Sequence, residues 1–162
     1  MESTKRVLSI QKIYNNRLHF FHISTGAEAN LFPIPTDNLE KRVTAEACIH
    51  HVWFNDLDYE NLGPLIKWNP SIKSEENRIQ LIQALKDGRL DIIASDHAPH
   101  SLEEKMGSYD QIKSGAPIVQ HTMPLLFQLL KKGEIGKQTA GGYLTFEDND
   151  YLSKYKIKGI GG

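Results

Sequence analysis

The chain has 162 residues, enough for one domain with its own core. Its 40% apolar and 24% charged residues exclude collagenous and disordered classes, and no apolar run approaches the roughly 20 residues that a membrane span needs. With 19 basic against 20 acidic side chains and no dense Lys/Arg cluster, neither nucleic acid nor a membrane is expected as a partner.

Short apolar stretches alternate with amphipathic ones, a βα rhythm without internal repeats. Val7, Ile10, Ile13 and Tyr14 recur at helical spacing up to Asn15-Asn16, which predicts a helix that stops there. Leu18-His19-Phe20-Phe21-His22-Ile23 follows as an aromatic-rich strand, and residues 30–41 read as a loop. A second strand is predicted at residues 43–49. Ser74 is placed as a helix N-cap, Glu75 and Glu76 suit the positive end of the helix dipole, Ile79, Ile82 and Leu85 trace one face, and Gly88 ends the helix. Residues 90–95 make a third strand, in which Ile92-Ile93-Ala94 is expected to be buried on both faces, as in a parallel sheet. Residues 100–120 read as a second loop. A last helix is predicted from Thr122 through Leu126, Phe127 and Leu130 to Lys132, with Pro124 in its first turn and Gly133 at its end. The fold class is therefore α/β. Residues 136–162, rich in Gly, Lys and Tyr, carry no pattern and are set apart as a tail.

Three polar clusters fall at the ends of the predicted strands, where parallel α/β folds place their active sites. In the first, His19 and His22 would point to opposite faces of a strand, so they are not expected to share a metal. A strand-end histidine of this kind is more often a hydrogen-bonded packing residue than a ligand. The second is Cys48-Ile49-His50-His51, where adjacent histidines in extended chain diverge and no nearby Cys/His pair completes a tetrahedral site, so a polar strand end is the favoured reading. Cys48 is also the only cysteine, which rules out an internal disulfide, and residues 1–6 lack the apolar core of a signal peptide; both predict a cytoplasmic protein. The third is Ser95-Asp96-His97-Ala98-Pro99-His100. A buried strand that ends in Asp-His leaves a carboxylate at the rim that is costly without a metal, a cation or several donors, and function outweighs packing there. Ser95 and Asp96 are neighbours facing opposite ways with no nucleophile elbow, which sets a Ser/His/Asp triad aside.

Taken in order, Leu18-His19-Phe20-Phe21-His22-Ile23-Ser24-Thr25, Val43-Thr44-Ala45-Glu46 through His50-His51, Lys67-Trp68-Asn69-Pro70, and Ser95-Asp96-His97-Ala98-Pro99-His100 with Glu103-Glu104-Lys105 closely resemble the dihydroorotases of the amidohydrolase superfamily. The resemblance runs from about Lys5 to Gly133, and the Asp-His-Ala-Pro-His run is its most specific part, because hydantoin and dihydropyrimidine hydrolases differ after Asp-His. Ile118-Val119-Gln120-His121-Thr122 further resembles dihydroorotases of Bacteroidetes-like bacteria.

The resemblance implies a partial (β/α)8 TIM-type barrel holding strands six to eight, with residues 1–135 as the C-terminal part of the barrel and 136–162 as an atypical tail. It implies zinc as cofactor, His22 and Asp96 as metal ligands, and Asp96 as the catalytic group that takes and returns the proton. Asn69 and His100 match positions that hold dihydroorotate through polar contacts, and the backbone of Ala116 and Pro117 matches a further contact, although this sequence departs there from the commoner Phe/Pro-Gly pair. Glu46, His50 and His51 match residues that support the site. The implied reaction converts dihydroorotate and N-carbamoyl-aspartate, small-molecule partners in pyrimidine biosynthesis. The family's first-strand His-x-His pair, its bridging lysine or aspartate and its fifth-strand histidine have no counterpart and would lie before Met1. A whole barrel takes typically about 250 residues. The expectation is thus a C-terminal part that is inactive alone and that either forms a homo-oligomer or pairs with an N-terminal half. Two other readings stand beside it: a catalytically incomplete fragment that serves as a binding or assembly partner, and another cyclic amidohydrolase, which would not explain the Asp-His-Ala-Pro-His run.

Overall fold

A computed structural model describes residues 1–35 and 41–136. All of the tail but its first residue lies outside them, as does the middle of the loop at 30–41. Three parallel strands, β1 (Leu18–Phe20), β2 (Val43–Cys48) and β3 (Ile92–Ala94), form a sheet in the order β1-β2-β3. Leu18 pairs with Val43 and Phe20 with Ala45, while Glu46 pairs with Ile92 and Cys48 with Ala94. The parallel arrangement predicted from sequence is therefore observed. No helix among the described residues is long and apolar enough to cross a membrane.

Side chains alternate along a strand, and β2 uses the alternation to divide the molecule. Val43, Ala45 and Ala47 join the main apolar core with Phe32, Leu81, Leu85, Leu126 and Leu129. Those core residues come from helix α5 (Glu75–Lys86), helix α6 (Val119–Lys131) and the segment after the short helix α2 (Gly26–Ala29). The alternate residues Thr44 and Glu46 meet His19 on the opposite face. That face carries polar groups, and Ile92 is 44% exposed on β3. The expectation that Ile92-Ile93-Ala94 is buried on both faces is corrected: Ile93 packs on the core, but no described element covers Ile92.

Strand ends also differ from expectation for local reasons. β1 stops at Phe20, three residues early, because His22 adopts φ 40° and the Ile23 N–H turns to Glu46 O at 2.8 Å. β3 begins only at Ile92 because Asp91 bonds β2 with its side chain, its carboxylate accepting from Ala45 N at 2.8 Å. The same carboxylate accepts two bonds from Lys41 Nζ at 2.8 and 2.9 Å, and Lys41 also donates to the carbonyls of Gly88 and Arg89.

Helix α1 (Glu2–Tyr14) ends at Asn15, in the left-handed conformation at φ 53°, as Asn15-Asn16 suggested. Its apolar stripe is not the core face, however. Val7, Ile10, Ile13 and Tyr14 are exposed, and α1 packs through Leu8 and the buried Thr4, whose hydroxyl donates to Glu28 of α2. Helix α5 starts after Ser74 as predicted, but it buries Leu81, Ile82, Ala84 and Leu85 and leaves Ile79 55% exposed. Ser74 does not cap it through its side chain; its hydroxyl accepts from Asn77 Nδ2. Helix α6 begins at Val119 rather than Thr122, so Pro124 lies inside it. The missing Pro124 N–H frees the carbonyl of an exposed residue, Gln120, which water can satisfy. Helices α2, α3 (Ile49–Trp53) and α4 (Tyr59–Leu62) and the 3-10 turn at Glu103–Lys105 are too short to show a period in the sequence.

Gly26 sets the distance between α2 and α5. A Cβ there would fall 2.3 Å from Gln80 Cβ, and its N–H donates to Asn77 Oδ1 of α5 at 3.1 Å.

The Asp91 carboxylate carries three bonds, two of them from the Lys41 ammonium. We expect Asp91→Ala to lower stability by about 2–3 kcal/mol, and Glu2→Ala, which removes an exposed helical pair with Lys5, by less than about 0.5 kcal/mol. Urea unfolding midpoints at equal m-value read the difference.

Candidate active site

Because the strands are parallel, the residues that follow their C-terminal ends share one edge of the sheet. His22 follows β1 and Asp96 follows β3, and both are half-buried. Three non-glycine residues among those described have positive φ: the helix cap Asn15, His22 at 40° and Asp96 at 47°. The left-handed region costs an ordinary residue about 1–2 kcal/mol and is retained where the surroundings enforce it. Strain therefore coincides with the two residues that the sequence selected.

The surroundings of His22 are fixed by Glu46, which is 8% exposed. Its carboxylate accepts from the His22 N–H at 3.4 Å and bonds His19 Nε2 at 3.0 Å, while His19 Nδ1 meets the Thr44 hydroxyl at 2.8 Å. His19 is thus a hydrogen-bonded packing residue, and His22, released from the strand, is the one free to act. An imidazole and a carboxylate at one edge are a donor pair that suits a divalent cation.

A second group of candidates meets around Ser114. Asn69 Nδ2 donates to the Ser114 hydroxyl at 3.2 Å, and His100 Nε2 lies 3.1 Å from the Ser114 carbonyl. His100 Nδ1 faces Glu104 Oε2 at 3.2 Å. Hydrogen bonding to the Ser101 backbone, and then to His100, holds the Glu104 carboxyl below its ordinary range. Ala116 and Pro117 follow directly in the chain. Gly115, at φ 115°, lies against the Asp-His-Ala-Pro-His loop so closely that a Cβ would sit 2.5 Å from Ala98 Cβ and 2.8 Å from its carbonyl oxygen. The Val119 N–H at the start of α6 points at His97 Nδ1, 3.3 Å away.

What holds this lip is Lys105, a charged residue that is 4% exposed. Its ammonium donates to three carbonyls, those of Lys67 at 3.2 Å, Lys113 at 3.0 Å and Gly115 at 2.9 Å. Lys67 in turn donates to the carbonyls of Tyr109 and Ile112. Burial, then the neighbouring Lys67 charge, push the Lys105 amine below its ordinary range.

The second sequence cluster behaves differently from expectation. Residues 49–53 do not continue the strand but wind into α3, and the turn brings Cys48, His50 and His51 together, all buried, with one ligand atom of each within 4.8 Å of the others. Divergence was the prediction for extended chain; a helical turn removes it. Burial, followed by the effect of His51 and His22, lowers the His50 pKa to about 2. Burial lowers that of His51 to about 4, against a bond to the Pro70 carbonyl that works the other way. Burial, then the charges of Asp96 and Glu46, push the Cys48 thiol up.

No model of a known protein family matches the chain. A dihydroorotase from Elusimicrobium minutum is 34% identical over 156 residues, 96% of this chain and 36% of that protein. Over nearly all of its length the chain is similar to proteins named dihydroorotase. Solved structures agree on the fold. The L-hydantoinase (dihydropyrimidinase) of Arthrobacter aurescens superposes with a TM-score of 0.78 at 24% identity, over 97% of this chain and 35% of that one. The Saccharomyces cerevisiae dihydroorotase, solved with 5-fluoroorotic acid, gives a TM-score of 0.73 at 18% identity, over 96% and 43%. These are TIM-barrel amidohydrolases, and the three parallel strands are an arc of such a barrel. The chain spans between about a fifth and about a third of the length of the curated relatives it matches.

Sequence reasoning selected the residues at the edge and missed those that hold them. Lys105 was read only as part of a motif, and Gly115 not at all; a lone lysine amid loop residues gives no sign of burial.

Two measurements follow from this geometry. Lys105→Met leaves three carbonyls without their donor, and we expect hydrogen exchange at the Gly115 amide, bonded to Lys67 O, to quicken about 30-fold, the equivalent of about 2 kcal/mol. The depressed histidines make stability pH-dependent in a known direction. Unfolded histidine takes up its proton near pH 6.5, whereas folded His51 and His50 resist protonation down to about 4 and about 2. Their contribution is fully present above pH 6.5 and is lost as pH falls, by up to about 1.4 kcal/mol per unit for each. In the metal-free protein the urea midpoint should fall between pH 6.5 and 5, and His50→Phe should halve the slope.

Proposed function

We propose that the chain contributes part of a zinc-dependent dihydroorotase active site, which hydrolyses the ring amide of dihydroorotate to N-carbamoyl-aspartate and closes it again in pyrimidine biosynthesis. The observation that carries this reading is the pair His22 and Asp96, the two strained residues of one sheet edge, in a chain whose curated relatives are named dihydroorotase. In this reading both are metal ligands. A bound zinc ion would polarise the amide carbonyl and lower the pKa of water to about 7.

The chain's own residues do the rest. Asp96, held at φ 47° at the strand end, takes a proton from the attacking water and returns it to the leaving nitrogen. His22 is oriented through its backbone bond to Glu46. Asn69 and His100, joined through Ser114, face the anionic substrate: Asn69 has a second amide N–H to donate, and His100 donates once it exchanges the Ser114 carbonyl or the Glu104 carboxylate for the substrate, while the backbone of Ala116 and Pro117 borders the same space. The remaining ligands that the family uses have no counterpart among the matched residues, so the chain alone is expected to be inactive, and the protein is placed in the cytoplasm with its soluble substrates.

The test is a chimera in which residues 1–136 replace the matched third of the Elusimicrobium minutum dihydroorotase. It should hydrolyse dihydroorotate with added zinc, Asp96→Asn should cut kcat by about 10²–10⁴-fold, and the chain alone should show no turnover. A folded, metal-loaded chimera without activity would overturn the reading. Turnover of a hydantoin in place of dihydroorotate would assign the site to another cyclic amidohydrolase.

A further inference from the structure

The end of β2 gathers three metal-ligating side chains that the reaction proposed above does not use. Cys48 and His50 are fully buried and His51 is 3% exposed, with one ligand atom of each within 4.8 Å of the others. Neither ring nitrogen of His50 has a hydrogen-bond partner, and nor does Nδ1 of His51. Folded proteins rarely leave buried polar atoms so. His51 Nε2 lies 2.9 Å from the Pro70 carbonyl and must donate to it, which leaves the Nδ1 lone pair directed elsewhere. Such an outer bond to a backbone carbonyl is how proteins orient metal-binding imidazoles. The His50 ring is fixed in its turn by the Trp68 indole, stacked at 4.3 Å and 4°. The carboxylates of Asp96 and Glu46 act on Cys48, so the local charge favours a cation.

We propose that Cys48 Sγ, one ring nitrogen of His50 and Nδ1 of His51 bind a single zinc-like divalent cation at a site separate from that of His22 and Asp96. One thiolate and two imidazoles are a donor set that zinc takes, with a fourth position left for water. Bonds of about 2.0–2.3 Å place tetrahedral ligand atoms roughly 3.5 Å apart, so the three side chains draw in by about 1 Å as the ion enters. The Cys48 S–H bond breaks, its electron pair forms the metal–sulfur bond, and the proton leaves to solvent.

The probe is cobalt(II), added to the full chain after chelator treatment. We expect about one equivalent to produce thiolate-to-cobalt charge-transfer absorption with the intense visible bands of a tetrahedral ion, and equimolar zinc to displace it. This spectrum in the unmutated protein needs no variant to fold. Cys48→Ser should abolish the charge-transfer band and weaken binding by at least the roughly 10–100-fold that loss of an outer partner costs. His22→Ala and Asp96→Ala should keep the band. Three results would overturn the proposal: cobalt bound without thiolate absorption, no binding at micromolar concentration, or a band that His22→Ala removes. None of these bears on dihydroorotate turnover in the chimera, so the two readings fail separately.

Discussion

The alternation of side chains along β2 is the constraint on which the rest of the molecule depends. Small residues, Ala45 and Ala47, face the helices and let α5 and α6 approach the sheet. Polar residues, Thr44 and Glu46, face the other way and meet His19. A shift of one residue in register would exchange the two sets, placing a carboxylate among leucines and alanines against an imidazole. Desolvation of that carboxylate would cost several kcal/mol, so the two pairings with β1 and β3 are strongly specified.

From that strand the functional features grow outward by local means. Glu46 reaches across to the backbone of His22 and thereby ends β1, while Asp91 donates its N–H to Ala45 O as a strand would but takes the Ala45 N–H with its side chain, which delays β3. The lip around Ser114 has no regular structure to define it. Lys105 supplies the definition instead, because three carbonyls converging on one ammonium are cheaper to bury than any of them alone. The desolvation that depresses the Lys105 amine measures the cost of that arrangement, and the absence of a partner carboxylate among its bonds leaves the geometry to the carbonyls.

How far the sequence disclosed this differs from residue to residue. Strand positions and their parallel sense were legible because β2 alternates apolar with polar residues and β3 is a short apolar run, the two separated by an amphipathic helix. His22 and Asp96 were legible because each stands where such a run breaks into polar residues. The burial of helix faces was read less well. In α1 the spacing of Val7, Ile10 and Ile13 is helical, yet the side that packs is the one bearing Thr4 and Leu8, since a hydroxyl with a carboxylate partner on α2 can be buried where periodicity would assign only apolar groups. The convergence of Cys48, His50 and His51 was hidden by the assumption of extended chain, and one helical turn after the strand was enough to reverse it.

The close contact at Gly26 has a mechanical meaning. With the Gly26 backbone pressed against the Gln80 side chain of α5 and Asn77 bonded to the Gly26 amide, the three residues between His22 and α2 are tied to a twelve-residue helix. Any displacement of His22 along the sheet edge must drag that helix, and with it Leu81 and Leu85 in the core. The imidazole therefore inherits the stiffness of the whole scaffold rather than that of a loop. A larger residue at position 26 would be felt as a misaligned site before it was felt as lost stability.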